Sequence, residues 1–289
     1  MRLIRVFPRR TKATPTDELA YVGPPDLFAE ADEVHVSVAF TWDIPAAERL
    51  AKQWARVAPV KVGGPAYDTR GEAFTPGLYL KPGYTITSRG CPNHCWFCSV
   101  WRRDGDVREL PIQDGWNVLD DNLLACSPAH IDAVFEMLTR QPRKPEFTGG
   151  LEAARLRFHR AQQLRELRAK QLFFAYDTPD DLEPLREAGR MLLAAGFTRK
   201  SHALRCYVLC GYPRDTLGAA ERRMYEAINA GFTPMAMVWR NRAGTKLPEW
   251  QVFQRKWARP AAIYARESNA AHRRIQAEPV RFPLFEERP

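Results

Sequence analysis

Three thiols fall within the stretch Gly90-Cys91-Pro92-Asn93-His94-Cys95-Trp96-Phe97-Cys98. Cysteines at this spacing on one loop can converge on a single inorganic centre. A four-iron cluster ordinarily takes four thiolates, so three leave one iron open to a substrate or cofactor. The competing reading is a zinc knuckle with His94 or His130 as fourth ligand. Structural zinc usually draws on two separated ligand pairs, whereas Cys126, Cys206 and Cys210 stand singly. Six cysteines in 289 residues are too few for a disulfide scaffold. In an intracellular setting clustered thiols point to metal binding or catalysis.

The elements that must hold this loop follow from hydrophobic patterning. Arg2 to Phe7, the alternation Val34, Val36, Val38, and Val60 to Val62 are strand candidates. Asp43 and Pro45 open a helix with Leu50, Trp54 and Val57 on one face. The β-α-β order implies a small parallel, Rossmann-like segment over residues 1–65, with 66–83, rich in proline and glycine, as a linker or long loop.

From Tyr84 onward, strand and helix alternate. Tyr84 to Ser88 precedes the cysteine loop, and Trp116 to Leu119 ends at Asp120-Asp121. Ser127-Pro128 caps a helix with an Ile131, Val134, Phe135, Leu138 stripe. Pro145 to Thr148 leads into Gly149-Gly150 and an arginine-rich helix, whose Arg155, Arg157, Arg160, Arg165 and Arg168 read as a solvated face. Leu172 to Tyr176, Ala203 to Gly211 and Pro234 to Trp239 complete six strands. Two further helices intervene, one bearing Leu185, Ala188, Leu192 and Ala195, the other Leu217, Ala220, Met224 and Ile228. Repeated βα units predict an α/β fold, a partial (β/α)6 barrel over 84–241 with its chemistry at the C-terminal ends of the strands. Strand alternation turns Leu209 inward and puts Cys206 and Cys210 on the opposite, core-facing side.

The spacing Cys-x3-Cys-x-aromatic-Cys, met by Cys91, Cys95 and Cys98 with Phe97 in the aromatic slot, resembles the radical S-adenosylmethionine (radical SAM) superfamily. The resemblance implies a 4Fe-4S cluster on the three cysteines, with S-adenosylmethionine on the open iron. One electron passed to the sulfonium would then release a 5′-deoxyadenosyl radical that takes hydrogen from substrate. No catalytic residue beyond the cluster is assigned. In that family a Gly-Gly-Glu-like motif receives the cofactor's amino group. Two segments here are candidates, Asp120-Asp121-Asn122 and Gly149-Gly150-Leu151-Glu152. Tyr207 to Thr216 resembles the fifth-strand motif beside the adenine, which places Leu209 and Gly211 near the cofactor. Asp215 stands where glutamate is common and Arg214 where glycine is. Residues 1–65 resemble a trimmed cobalamin-binding domain, but the Asp-x-His-x-x-Gly fingerprint is missing, so cobalamin is not expected.

A net charge of +9 favours acidic partners such as nucleic acid. The extension 242–289 is basic and aromatic, the combination that single-stranded nucleic acid requires. Yet Trp250, Phe253 and Trp257 also have the spacing of a helix docked on a core, the preferred reading. The alternative to a radical enzyme acting on an unidentified substrate, a nucleic-acid base among the candidates, is a basic nucleic-acid-binding module with a structural metal. The family resemblance implies a small flavin or iron-sulfur protein as electron donor. Apolar runs are too short for a membrane span, and Met1 to Val6 lacks the apolar core of a secretory signal, so a cytoplasmic chain with no membrane partner is expected.

Overall fold

The computed structural model describes residues 1–68, 70, 74–241, 244–245, 247–258 and 263. Four short strands, β1 (Leu3–Phe7), β2 (Ala20–Val22), β3 (Glu33–Ser37) and β4 (Val60–Gly63), form a parallel sheet in the order β2-β1-β3-β4. Helix α1 (Ile44–Trp54) lies on it because its apolar stripe must leave water: Ala47, Leu50 and Trp54 pack with Ile4, Val6, Val34 and Val36 in one buried cluster.

The second unit runs through β5 (Tyr84–Thr85), β6 (Ser88–Arg89), α2 (Val100–Arg103), β7 (Arg108–Glu109) and β8 (Asn117–Val118). It continues through α3 (Pro128–Thr139), β9 (Glu146–Leu151), α4 (Phe158–Glu166), β10 (Gln171–Tyr176) and α5 (Leu182–Ala194). It closes with β11 (Leu204–Cys210), α6 (Leu217–Asn229), β12 (Thr233–Val238) and α7 (Pro248–Lys256). Strands β5, β8, β9, β10, β11 and β12 are parallel neighbours in strict chain order. Among the described residues β5 and β12 do not pair, so the sheet is open.

Parallel connections of one hand put successive helices on one face of such a sheet. Leu172, Phe174 and Tyr176 of β10 and Leu204, Cys206, Val208 and Cys210 of β11 point into that helix-covered core. The alternate residues line the other face, where Phe173 and Tyr207 stack with ring centroids 4.4 Å apart. On this face Tyr207 donates its hydroxyl to the Thr148 carbonyl at 3.2 Å, and Thr148 donates to the Asn117 side chain.

Several expectations need correcting. The stretch Tyr84 to Ser88 is two strands and not one, because the Thr87 and Ser88 side chains turn inward to Asp120 and Ser88–Arg89 pairs antiparallel with Arg108–Glu109. Gly149-Gly150 does not end its strand. It forms an irregularity within β9, where the register with β10 jumps from Phe147↔Leu172 to Leu151↔Phe174. Leu217 is exposed at the first turn of α6 and is not part of the core. Arg160 of the arginine-rich helix is buried, held by Asp132 and the Pro128 carbonyl. Within 66–83, Ala66 is buried, and the Tyr79 hydroxyl lies 2.6 Å from His35 Nδ1.

Helix α7 docks as its spacing predicted, with Trp250, Phe253 and Trp257 in the core and so removed from base stacking. Arg242, Lys246, Arg259, Tyr264, Arg266, Glu267, Arg273 and Arg274 lie outside the described residues. No helix among the described residues is long and apolar enough to cross a membrane.

Candidate functional site

The cysteine loop leaves the antiparallel β6–β7 pair after β6 and returns through α2. Its entrance needs glycine: Gly90 has φ +90°, and a Cβ there would stand 2.2 Å from the Asp106 carbonyl oxygen. Backbone bonds shape the rest, with Cys91 N–H donating to Gly105 O at 3.0 Å and Cys98 N–H to Cys95 O at 3.1 Å. Trp101 Nε1 also donates to Cys95 O at 3.1 Å. All three thiols are free and partly exposed.

Burial, with the neighbouring Cys98 and Cys91, pushes the Cys95 thiol up to about 11, and Asp177 and Asp181 at the end of β10 add to the rise. Burial also raises Cys98. Among the described residues no three His, Cys, Asp or Glu side chains already stand at metal-binding separations. The donor set nevertheless suits a cluster with an open iron: three unpaired thiols on one short loop, with the Asn122 amide donating to Cys91 Sγ at 3.4 Å.

Asp120 and Asp121 serve the loop from below. Asp120 is 1% exposed and accepts from Thr87 N–H at 2.6 Å, Thr87 Oγ1 at 2.6 Å and Ser88 Oγ at 2.8 Å. Asp121 accepts from Gly90 N–H at 3.0 Å and faces Arg89 and Arg103 at 3.8 and 3.7 Å. Burial raises the Asp121 carboxyl against the pull of those two arginines. His130 Nε2 lies 3.2 Å from Thr87 Oγ1, so this histidine belongs to the same buried lock, while His94 packs edge-on against Trp101.

Asn122 links this floor to the other glycine-acid segment, donating to Glu152 Oε2 at 2.6 Å, an oxygen that Arg155 also reaches at 2.6 Å. Gly149 packs so closely on the chain just after β8 that a Cβ would lie 2.3 Å from the Asp120 carbonyl oxygen, whereas the space above Gly150 is open. Across the sheet end, exposed Trp96 meets Phe97 and Tyr212 edge-on at 5.4 and 5.7 Å.

Leu209 is buried, and its N–H donates to Asp177 Oδ1 at 3.2 Å. Gly211 N–H donates to Asp215 Oδ2 at 2.8 Å, and Asp215 also holds Arg223 at 2.7 Å. Arg214 adopts φ +70°, the conformation that glycine tolerates best.

The cysteines, Phe97, Asn122, Glu152, Gly150, Asp177 and the loop after β11 therefore gather at the C-terminal end of the parallel strands. No protein-family model and no curated protein matches this chain. The site must be judged on its own chemistry.

Sequence reading passed over Asn122 as a bridge and Asp177 as a site group. An acidic residue directly after a parallel strand was the available signal for the latter. Burial beside Asp181 pushes the Asp177 carboxyl from 3.8 up to about 7. The folded chain thus holds this proton more tightly than the unfolded one, so ionisation costs stability as pH rises from about 4 to 7. Asp177→Asn keeps an acceptor for Leu209 N–H and removes that cost. Its unfolding midpoint should exceed the parent's by roughly 5 °C at about pH 8 and match it at about pH 4. Calorimetry at the two pH values checks this, and a gap of equal size at both would contradict it.

Proposed function

We propose that this chain is a radical S-adenosylmethionine enzyme whose second unit is an open, partial (β/α)6 barrel. The carrying observation is the three-thiol loop that follows β6, directly after the first strand, β5, of a six-stranded parallel sheet laid down in chain order. Cys91, Cys95 and Cys98 would hold a 4Fe-4S cluster. When bound, such a cluster supplies one-electron cleavage of S-adenosylmethionine, so that the adenosyl fragment takes a hydrogen atom from substrate.

The chain's own groups have distinct parts. The Asn122 amide donates to Cys91 Sγ and orients Glu152. Arg155 fixes Glu152 from the other side, leaving a carboxylate suited to a cofactor ammonium group. The open space above Gly150 lets a ligand approach the backbone. Phe97, Leu209 and Gly211 supply apolar and small surfaces for an adenine. Asp120, spent on Thr87 and Ser88, positions the loop and does not receive the cofactor, and Asp121 secures Gly90. A small flavin or iron-sulfur protein would deliver the electron. The reading as a nucleic-acid-binding module gains nothing from α7, whose aromatics are buried.

Anaerobically reconstituted, dithionite-reduced protein is expected to release 5′-deoxyadenosine and methionine from S-adenosylmethionine. Chromatography detects both, and their absence from iron-loaded protein would overturn the proposal.

A further inference from the structure

A cavity of about 730 Å³ lies between the N-terminal sheet and the base of the cysteine loop. It opens beyond the carboxyl ends of β1, β3 and β4, where Phe7, Ser37 and Gly63 line it. In the order β2-β1-β3-β4 the chain lays β2 on one side of β1 and β3 on the other, so the direction of winding reverses there. Open parallel sheets bind ligands in the crevice at such a reversal, because the two loops diverge and leave a gap above the strand ends. The volume is in the range of small-molecule sites.

The lining sets the ligand's chemistry. Phe7, Phe40, Phe74 and Tyr79 give broad apolar and aromatic surface. Arg9, Lys61, Arg70, Arg89 and Arg103 also border the space, against only two carboxylates, Asp43 and Asp104. Several of these cations are engaged: Arg9 with Asp43, Lys61 with Glu33 and Arg103 with Asp104. Arg89 is held more loosely, its ion pair with Asp121 being 3.8 Å long and beyond hydrogen-bond reach. Its side chain is only 21% exposed, so a charge-assisted bond to an anion there would be shielded from water.

We propose that this cavity binds a small organic anion with an aromatic or apolar body, its head group on Arg89. Asp121, which Arg89 faces, also accepts from Gly90 N–H, so the head group would sit beside the entrance to the cysteine loop. The inference concerns binding alone and stands whether or not the thiols carry a cluster.

Anilinonaphthalene sulfonate, an aromatic anion that fluoresces in apolar surroundings, is the probe. Titration of the full chain should show one saturable site. Gly63 lines the cavity and a Cβ there meets nothing within 4 Å, so Gly63→Phe is the variant chosen to fill it. It should weaken binding at least ~10-fold with the unfolding midpoint unchanged, and Arg89→Gln should weaken it roughly 5-fold and flatten its salt dependence. Absence of a saturable site, or binding to Gly63→Phe equal to the parent's, would overturn the cavity assignment. Unchanged affinity in Arg89→Gln would overturn the head-group assignment, and this variant also tests the idea should Gly63→Phe fold poorly.

Discussion

Replacing Cys95 by alanine is expected to lower bound iron from about four atoms per chain to fewer than about one. Formation of 5′-deoxyadenosine should fall to background. The fold should survive, because the structural contribution of Cys95 comes through its backbone. Its carbonyl takes Trp101 Nε1–H and Cys98 N–H, and alanine leaves both bonds in place. The side chain is partly exposed, so its loss opens no buried cavity. Two remaining thiols cannot satisfy three irons. The same result is expected for Cys91→Ala and Cys98→Ala, whereas Cys206→Ala should keep its iron, since Cys206 faces the helix-covered core. Iron assay with circular dichroism separates loss of the centre from loss of the fold, and full iron in Cys95→Ala would contradict its role as ligand.

The second large effect is expected at a residue that touches no thiol. Asp120→Ala leaves Thr87 N–H, Thr87 Oγ1 and Ser88 Oγ without their buried acceptor. An unsatisfied buried donor costs about 1–3 kcal/mol, so the variant should lose roughly 3–5 kcal/mol of stability. For a chain of this size that is a fall of about 10 °C in the unfolding midpoint. Thr87 and Ser88 lead directly into Gly90 and Cys91, so iron loading should drop as well, although all three cysteines remain. Glu136→Ala, which removes an exposed pair with Arg140, should change neither reading. Wild-type iron content and midpoint in Asp120→Ala would show that the buried lock does not position the loop.

Local signals carried much of the fold. Ser127 accepts from His130 N–H at 3.2 Å, as the cap residue foretold, and Thr216 accepts from Ala219 N–H at 3.2 Å at the start of α6. Alternation along Ala203 to Gly211 correctly separated Cys206 and Cys210 from Leu209, because side chains of a strand change face at every residue. What was missed depends on partners far along the chain. Ala20–Val22 is three half-exposed residues with no periodicity, a strand only because β1 offers its edge. Arg108–Glu109 is a strand only because Ser88–Arg89 turns to meet it.

The candidate site was legible in the same uneven way. The cysteine spacing is contained in one loop and could be read directly. The choice between Asp120-Asp121 and Gly149-Gly150-Glu152 could not: on the proposed reading it turns on which carboxylate is already saturated. Asp120 finds its donors in Thr87 and Ser88, more than 30 positions earlier. The bridge from Cys91 through Asn122 to Glu152 likewise joins three separate strand ends.

The most direct test is the electron paramagnetic resonance spectrum of anaerobically purified, dithionite-reduced protein, recorded with and without S-adenosylmethionine. A reduced four-iron signal that shifts when the cofactor is added is the predicted result, because an open iron would gain new ligands. A four-iron signal that ignores the cofactor, or a preparation carrying zinc and no iron, would contradict the radical reading.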